Sequence, residues 1–548
     1  MRGMKLRKLQ YSLQCFVALS ILLPGLSAAP NLTSISNAAS NNTVFGPIAQ
    51  GAIFVLKGSG LGPANLAISP TPFKTTSLNG TSVRIGSGNA TSLALMYYTS
   101  DGQVAALLPS NTPAGATAFT VVYNGQASNT IMRNVQPSNL GLFTIDSTGL
   151  GPAIVTFADY SLVSALKAPF CGGPNTACGA ANPGDTLILW ATGLGPVNGK
   201  DEDGAGLGQA MPNVSLRLFL GGVQVPIVYQ GRSGCCIGED QIVFTVPNNV
   251  PTGCAVPLIA QIGDQSNTVS NSPLLPVAVG SRNCTPTNPA LSSIPTDGSA
   301  VTSATVGLGK ELTDYLQASF HKNITLAPSV GPFFVSWIDD TPPGTCSIRP
   351  FDSKDDPPLA TISDADAGSS FTVIGPNGTK TVPGSAGDFR SPLSTDRSFL
   401  VPGKYTIRGD GGIDIGPFRI DFTISPSPTL ISPADNAVVT RSSGLVVTWS
   451  GTDPNGFVDI LVRSATDVTG SMGARLACTA PARSGTFTIP PYALLALPPS
   501  NIAGFVIGAS IYPETPFTAP RLSLGYAGAD LGGMGYGLGA GAGSFTLR

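Results

Sequence analysis

A stretch of the first half occurs twice. Gln50-Gly-Ala-Ile-Phe-Val-Leu-Lys-Gly-Ser-Gly-Leu-Gly-Pro63 returns as Pro183-Gly-Asp-Thr-Leu-Ile-Leu-Trp-Ala-Thr-Gly-Leu-Gly-Pro196, an offset of 133. Gln103-Val-Ala-Ala-Leu-Leu-Pro109 with Pro113-Ala-Gly115 returns as Gln241-Ile-Val-Phe-Thr-Val-Pro247 with Pro251-Thr-Gly253, an offset of 138 that also sets Ser128-Asn129-Thr130 against Ser266-Asn267-Thr268. The extra residues fall in the second copy, where Gly231-Arg-Ser-Gly-Cys235-Cys236-Ile-Gly238 interrupts the match. A pattern repeated at this length requires one structural unit built twice.

Each copy is a string of short apolar or alternating runs. They are Ala52 to Lys57, Leu93 to Tyr98 and Thr117 to Tyr123, then Thr186 to Ala191, Val214 to Leu220, Val223 to Tyr229 and Gln241 to Val246. Gly, Pro, Asn or Ser bounds every run, and no segment between them is long and periodic enough for a crossover helix, so each unit is expected to be a β-sandwich. Composition agrees. The 548 residues include 66 Gly and 48 Pro, and only 11% are charged, against about 25% in an ordinary soluble protein. Long solvated helices, coiled coils and basic nucleic-acid modules are thereby disfavoured, while 42% hydrophobic residues still provide a core.

Arg2, Lys5, Arg7 and Lys8 precede the apolar run Cys15 to Leu23 and the small-residue stretch Leu26-Ser27-Ala28. This is the order of a secretory signal peptide over 1-28, with cleavage expected after Ala28 and no membrane span afterwards. The remaining chain carries 25 basic and 31 acidic side chains, a formal charge of −6, which argues against nucleic acid as a partner. Eight cysteines remain: Cys171, Cys178, Cys235, Cys236, Cys254, Cys284, Cys346 and Cys478. An even number in an exported chain points to disulfides, with Cys171 and Cys178 closing a short loop across Gly-Gly-Pro-Asn-Thr-Ala.

Ser36-Asn-Ala-Ala39, the Gly-Leu-Gly-Pro turn, the Gln-x5-Pro-x3-Pro-x-Gly signature and the closing Ser-Asn-Thr together resemble tandem Ig-like modules related to the IPT/TIG sandwiches of secreted soil-bacterial proteins. The resemblance covers roughly residues 34 to 280. It implies fold more than function, because such modules serve as spacers, adhesins and enzyme appendages. The Cys235-Cys236 insertion and Cys254 depart from the plainest form of the motif and are expected to tie the insertion to a neighbouring strand.

The fold class expected is all-β: tandem Ig-like β-sandwich domains over 31-139 and 140-280, a linker over 281-300, and a further β-rich C-terminal half. That half divides into a β-rich domain over 301-430 and an Ig/fibronectin-like sandwich over 431-548 with Trp449 in its core. Lys310 to Phe320 reads equally as a short amphipathic helix or a strand.

Catalytic side chains are sparse. His321 is the single histidine, no Gly-x-Ser-x-Gly surrounds a serine, and zinc chemistry draws on several His or Cys ligands. Glycosidases need only two carboxylates, and Asp339-Asp340, Asp352 with Asp355-Asp356, and Asp364 with Asp366 are available. Acidic residues in Gly- and Pro-rich loops are usually solvated turn formers. Asp201, Glu202 and Asp203 are weak calcium candidates, as a full calcium loop motif is missing; Gly409-Asp-Gly-Gly-Ile-Asp414 reads as a hairpin turn. No catalytic, cofactor-binding or metal residue is assigned. The expectation is a secreted, non-enzymatic surface, adhesion or matrix protein whose partners are extracellular glycans or surface proteins. The alternative is a carbohydrate-binding or carbohydrate-processing exoprotein with its site in 301-548.

Overall fold

The computed structural model describes residues 29–41, 46–86, 91–165, 178–263, 269–287, 301–310, 312–324, 341–352, 363–467, 469–510, 515–516 and 531–548. The expected signal peptide, Cys171, Ser266-Asn267-Thr268, Asp339-Asp340 and Asp355-Asp356 lie outside the described residues. The protein is all-β. The five-residue segment Pro491–Leu495 is the one α-helix among the described residues, and no helix among them is long and apolar enough to cross a membrane.

The two copies of the repeat share one strand order. In the first, Asn31–Asn37, Ile53–Ser59, Gln103–Leu107 and Leu95–Thr99 lie side by side in one sheet, and Ile131–Gln136, Gly115–Tyr123 and Thr81–Ile85 in the other. In the second, Gly141–Leu142, Thr186–Thr192, Asp240–Thr245 and Ile227–Arg232 form the first sheet, and Leu274–Val277, Gly253–Ile262 and Leu216–Leu220 the other. Gly60 and Gly193 occupy the same turn after the same strand, both in the left-handed region, at φ +66° and +102°. A side chain there would be strained, which explains the recurrence of Gly-Leu-Gly.

Each sandwich closes around inward-facing alternate residues. Phe54, Leu56, Val104, Phe119 and Val121 fill the first, and Leu187, Leu189, Ile242, Phe244 and Leu258 the second. An asparagine fastens the first strand of each to the opposite sheet. Asn129 Oδ1 accepts from Leu32 N at 2.7 Å while its Nδ2 donates to Leu32 O at 2.8 Å. Asn271 makes the same pair with Leu142 N and Leu142 O, each at 2.8 Å. The neighbouring serines also match, with Ser128 Oγ accepting from Val121 N and Ser270 Oγ from Ala260 N. The counterpart of Ser128-Asn129 is therefore Ser270-Asn271. Sequence alignment selects Ser266-Asn267 because the second copy contains Ser-Asn twice, and only the hydrogen bonds tell the two apart.

The second half is dominated by an eleven-stranded sheet. Its order runs Cys346–Asp352, Met472–Pro481, Phe457–Ala465, Ser500–Ser510, Leu531–Leu547, Val301–Lys310 and Asp314–Ile324. Strand pairing thus crosses position 430. Val301–Lys310 lies parallel to Leu531–Leu547, and the Cys346–Cys478 disulfide staples an antiparallel pair in which the two cysteines are direct partners. Lys310 to Phe320 is a hairpin and not a helix: Leu316, Ala318 and Phe320 are buried at a spacing of two, and Leu312 is exposed at the turn. Trp449 is buried and its Nε1 donates to Ala482 O at 3.0 Å. Phe219 of the second sandwich stacks on Tyr492, ring centroids 4.1 Å apart, which packs the second half against the repeats.

Candidate functional site: the joint between the repeats

Strands Ile53–Ser59, Leu95–Thr99 and Gln103–Leu107 carry apolar residues on both faces. Phe54, Leu56 and Met96 point into the first core, whereas Ile53, Leu95 and Leu107 form a separate cluster with Ile237 of the second sandwich. A sheet face of this kind has to be covered, and the cover is the insertion that interrupts the repeat.

Arg232 is the centre of the joint. It is 1% exposed, yet its Nη2 donates to Gly51 O of the first sandwich at 2.7 Å and to Gly195 O of the second at 2.6 Å. Its Nη1 pairs with the buried Asp240 carboxylate, whose other oxygen accepts from Leu194 N at 2.7 Å. Gly51 sits at φ +68°, and an added Cβ would collide with the guanidinium, so glycine is required there by both conformation and space. Around this pair, Asn37 Nδ2 donates to Asn139 O and Thr192 O, each at 3.2 Å. Ile53 N donates to Thr192 Oγ1 at 2.9 Å, and the Tyr97 hydroxyl donates to Ile237 O. The Ser36-Asn37-Ala-Ala39 motif is therefore a peg at the joint.

The weak calcium candidates do not come together as a cage. Asp201 is buried and faces the first sandwich, where its carboxylate accepts from Ser110 N at 2.7 Å and Ser110 Oγ at 3.0 Å. Glu202 and Asp203 stay exposed on the same 3-10 turn. Burial pushes the Asp201 carboxyl up, against the pull of the Ser110 donors and the Arg232 charge. Burial likewise raises Asp240 and Glu239, opposed by Arg232 and Leu194 N for the first and by Ser233 for the second. Tyr97 is raised by burial and then by the charge on Glu239.

Cys235 and Cys236 are bonded to each other, so the insertion is not tied to a neighbouring strand as expected. Its anchor is Arg232. The Cys235, Cys236 and Glu239 side chains lie close enough to share an ion, but both sulfurs are spent in the disulfide and offer no thiolate. Cys254–Cys284 fastens the start of the expected linker to strand Gly253–Ile262. Cys178 is also disulfide-bonded.

Between the sandwiches lies a cleft of 480 Å³. One wall carries Phe73 stacked on Tyr97, centroids 4.0 Å apart at 17°, beside Tyr98 and Gln103; the other carries Phe143, Thr144, Ser147, Cys236 and Glu239. Sequence patterning placed Tyr97 and Tyr98 in the run Leu93 to Tyr98 but did not single out Phe73, Arg232 or Glu239. The available signal was the unbroken apolar run in the first copy.

Elsewhere, His321 Nε2 lies 3.1 Å from Asp388 Oδ1 and Nδ1 3.7 Å from Asp364 Oδ1. Ser319 Oγ donates to the same Asp388 and not to the imidazole, an order that does not activate a serine. Asp366 caps Gly368 N at 2.8 Å. Asp414 accepts from Lys322 Nζ at 2.6 Å and from Asp366 N at 2.9 Å, so Gly409 to Asp414 pins a loop.

No family model matches the chain, and no curated protein matches it. Among solved structures it is similar to domains 5-6 of the S-layer protein SbsC, at 12% identity over 46% of this chain and 100% of that one, with a TM-score of 0.17. SGBP-B from a complex xyloglucan utilization locus in Bacteroides uniformis matches at 10% identity over 88% of this chain and 94% of that one, TM-score 0.16. Immunoglobulin domains 1-4 of Sidekick-1 match at 10% identity over 94% and 99%, TM-score 0.12. Scores of this size assign neither an architecture nor a role; the all-β fold stands on the strands described above.

Proposed function

We propose that this chain is a secreted, non-catalytic surface protein whose paired Ig-like sandwiches, of the IPT/TIG-related kind, form a stiff arm presenting the β-rich second half to extracellular glycans or surface proteins. The observation that carries the reading is the buried Arg232, which hydrogen-bonds backbone oxygens of both sandwiches. A flexible spacer has no use for a buried cation at its hinge, because leaving such a charge unpaired costs about 3–5 kcal/mol; a presenting arm needs the fixed angle. The engagement of Asp201, Asp240, Asp366 and Asp414 with backbone N–H groups and cations supports the non-catalytic reading. The arrangement at His321 supports it too.

Protease shaving of intact producing cells tests the location, and a hydrolase substrate panel tests the chemistry. Surface release of the chain and no turnover are expected. Retention inside the cell sinks the first part. Reproducible turnover of any substrate sinks the second, and a fall of about 100-fold or more in His321→Ala, the contribution of general acid-base catalysis, would place it at the imidazole.

A further inference from the structure

We propose that the cleft between the two sandwiches binds a neutral sugar ring. The inference takes the source of its ligand, extracellular glycan, from the surface reading above, but the binding itself does not depend on it.

The cleft volume of 480 Å³ falls within the range of about 300–1,000 Å³ common to small-molecule sites. Its aromatic wall is held in place. Phe73 sits at φ +70°, a left-handed conformation that a bulky side chain rarely adopts and that costs on the order of 1–3 kcal/mol. In that conformation its ring stacks on Tyr97, and the Tyr97 hydroxyl is fixed across the joint on Ile237 O. Beside the pair, Gln103 Nε2 donates to the Tyr98 hydroxyl. That contact leaves the phenol proton as a donor and the Gln103 carboxamide oxygen as an acceptor.

The chemistry of the lining narrows the ligand. Lys57 and Glu239 contribute one charge of each sign, so an anion would meet Glu239 and a cation Lys57. A purely aliphatic ligand would leave the Tyr98 phenol proton, the Gln103 carboxamide oxygen and the Ser147 hydroxyl facing it unmatched at a cost. A pyranose meets both demands, with a C–H face for the rings and the Cys236 sulfur and a rim of hydroxyls that donate and accept.

Purified protein lacking residues 1–28 is titrated calorimetrically with soluble neutral oligosaccharides (gluco-, xylo-, manno- and galacto-series) and with uronic-acid oligosaccharides. A neutral series is expected to bind. Tyr98→Ala and Gln103→Ala are each expected to weaken it by roughly tenfold or more, as for a central contact residue. Tyr98→Phe, which keeps the ring, should lose less, and Val228→Ala on the exposed face of the second sandwich nothing. Melting curves establish that each variant is folded. No binding, binding of uronic acids alone, or neutral binding untouched by both Tyr98→Ala and Gln103→Ala overturns the proposal. Cell shaving reads location only, so failure there leaves these titrations standing, and their failure leaves location standing.

Discussion

The first sandwich turns from Leu95–Thr99 to Gln103–Leu107 in the tight hairpin Ser100 to Gly102, whereas the second passes from Ile227–Arg232 to Asp240–Thr245 through Ser233 to Glu239. The order of the seven principal strands is otherwise the same, and only short edge strands differ. The longer hairpin, with the strand ends that flank it, supplies the Arg232–Asp240 pair, the Cys235–Cys236 disulfide and the Ile237 contact. The copies differ in cysteine as well, since 31-139 contains none and the second copy carries Cys254–Cys284. A few residues at one hairpin have turned a repeated module into a joint, and they did so without moving a strand.

Removing the joint's cation should therefore have the largest effect. Arg232→Ala leaves Asp240 buried and uncompensated, and urea unfolding is expected to show a loss of about 3–5 kcal/mol. Asp101→Ala in the first copy's hairpin should stay within about 0.5 kcal/mol. A small loss at Arg232 would mean that the copies differ in length only. Next, replacing Cys254 and Cys284 together by Ser should cost about 2–5 kcal/mol, read on Trp190 fluorescence in the second sandwich. A reductant should leave the cysteine-free first sandwich unmoved.

The asparagine correspondence is sharper but smaller. Asn129→Ala and Asn271→Ala each orphan a backbone N–H and a C=O, and each is expected to cost about 1–3 kcal/mol by denaturant titration. If Asn267→Ala costs more than Asn271→Ala, the structural pairing of the two copies is wrong.

The smallest effect separates the joint from the second half by pH. Asp201, Glu239 and Asp240 have carboxyls raised by burial, so the folded state binds more protons than the unfolded chain, whose values are about 3.9 for Asp and 4.3 for Glu. Their contribution is full below about pH 4 and is lost as pH rises through the raised folded values. In the second half the sign is opposite. Arg419 and Thr406 hold Asp421 down to about 2; the Lys322 ammonium, against partial burial, lowers Asp414; and Ser471 and Thr469 lower Asp467. Their contribution is present above about pH 3.9 and is lost as pH falls through the folded values. Urea midpoints on variants keeping only Trp190 or only Trp449 should diverge accordingly: acidification from pH 8 to 4 favours the Trp190 region, and from pH 4 to 2 penalises the Trp449 region. Parallel curves would dissolve the contrast.

Sequence patterning made the repeat, the strand runs and the buried Trp449 legible because each is local, an alternation or a turn signal within about ten residues. The clean case is Phe418–Ile424, where every second residue is buried. Strand partners distant in sequence, such as Val301–Lys310 with Leu531–Leu547, leave no local mark. The joint was hidden for a different reason. Arg232 and Asp240 stand beside glycines and another acid, which reads as a solvated turn until the covering sheet is in view. Asp201 misled in the same way, as an acidic loop whose one buried member serves Ser110.

The partner of Val301–Lys310 is Leu531–Leu547, far downstream in the sequence. During synthesis the two repeats can each close as soon as they emerge, whereas the second half holds an open edge until Leu531–Leu547 has emerged. Losing that last strand would bare Val301–Lys310, Ser500–Ser510 and Ala437–Val439 together, three edges free to pair with other chains. Arrival of Leu531–Leu547 is thus itself the step that closes this sheet, and a stop before Leu531 would yield sound repeats joined to an aggregation-prone remainder.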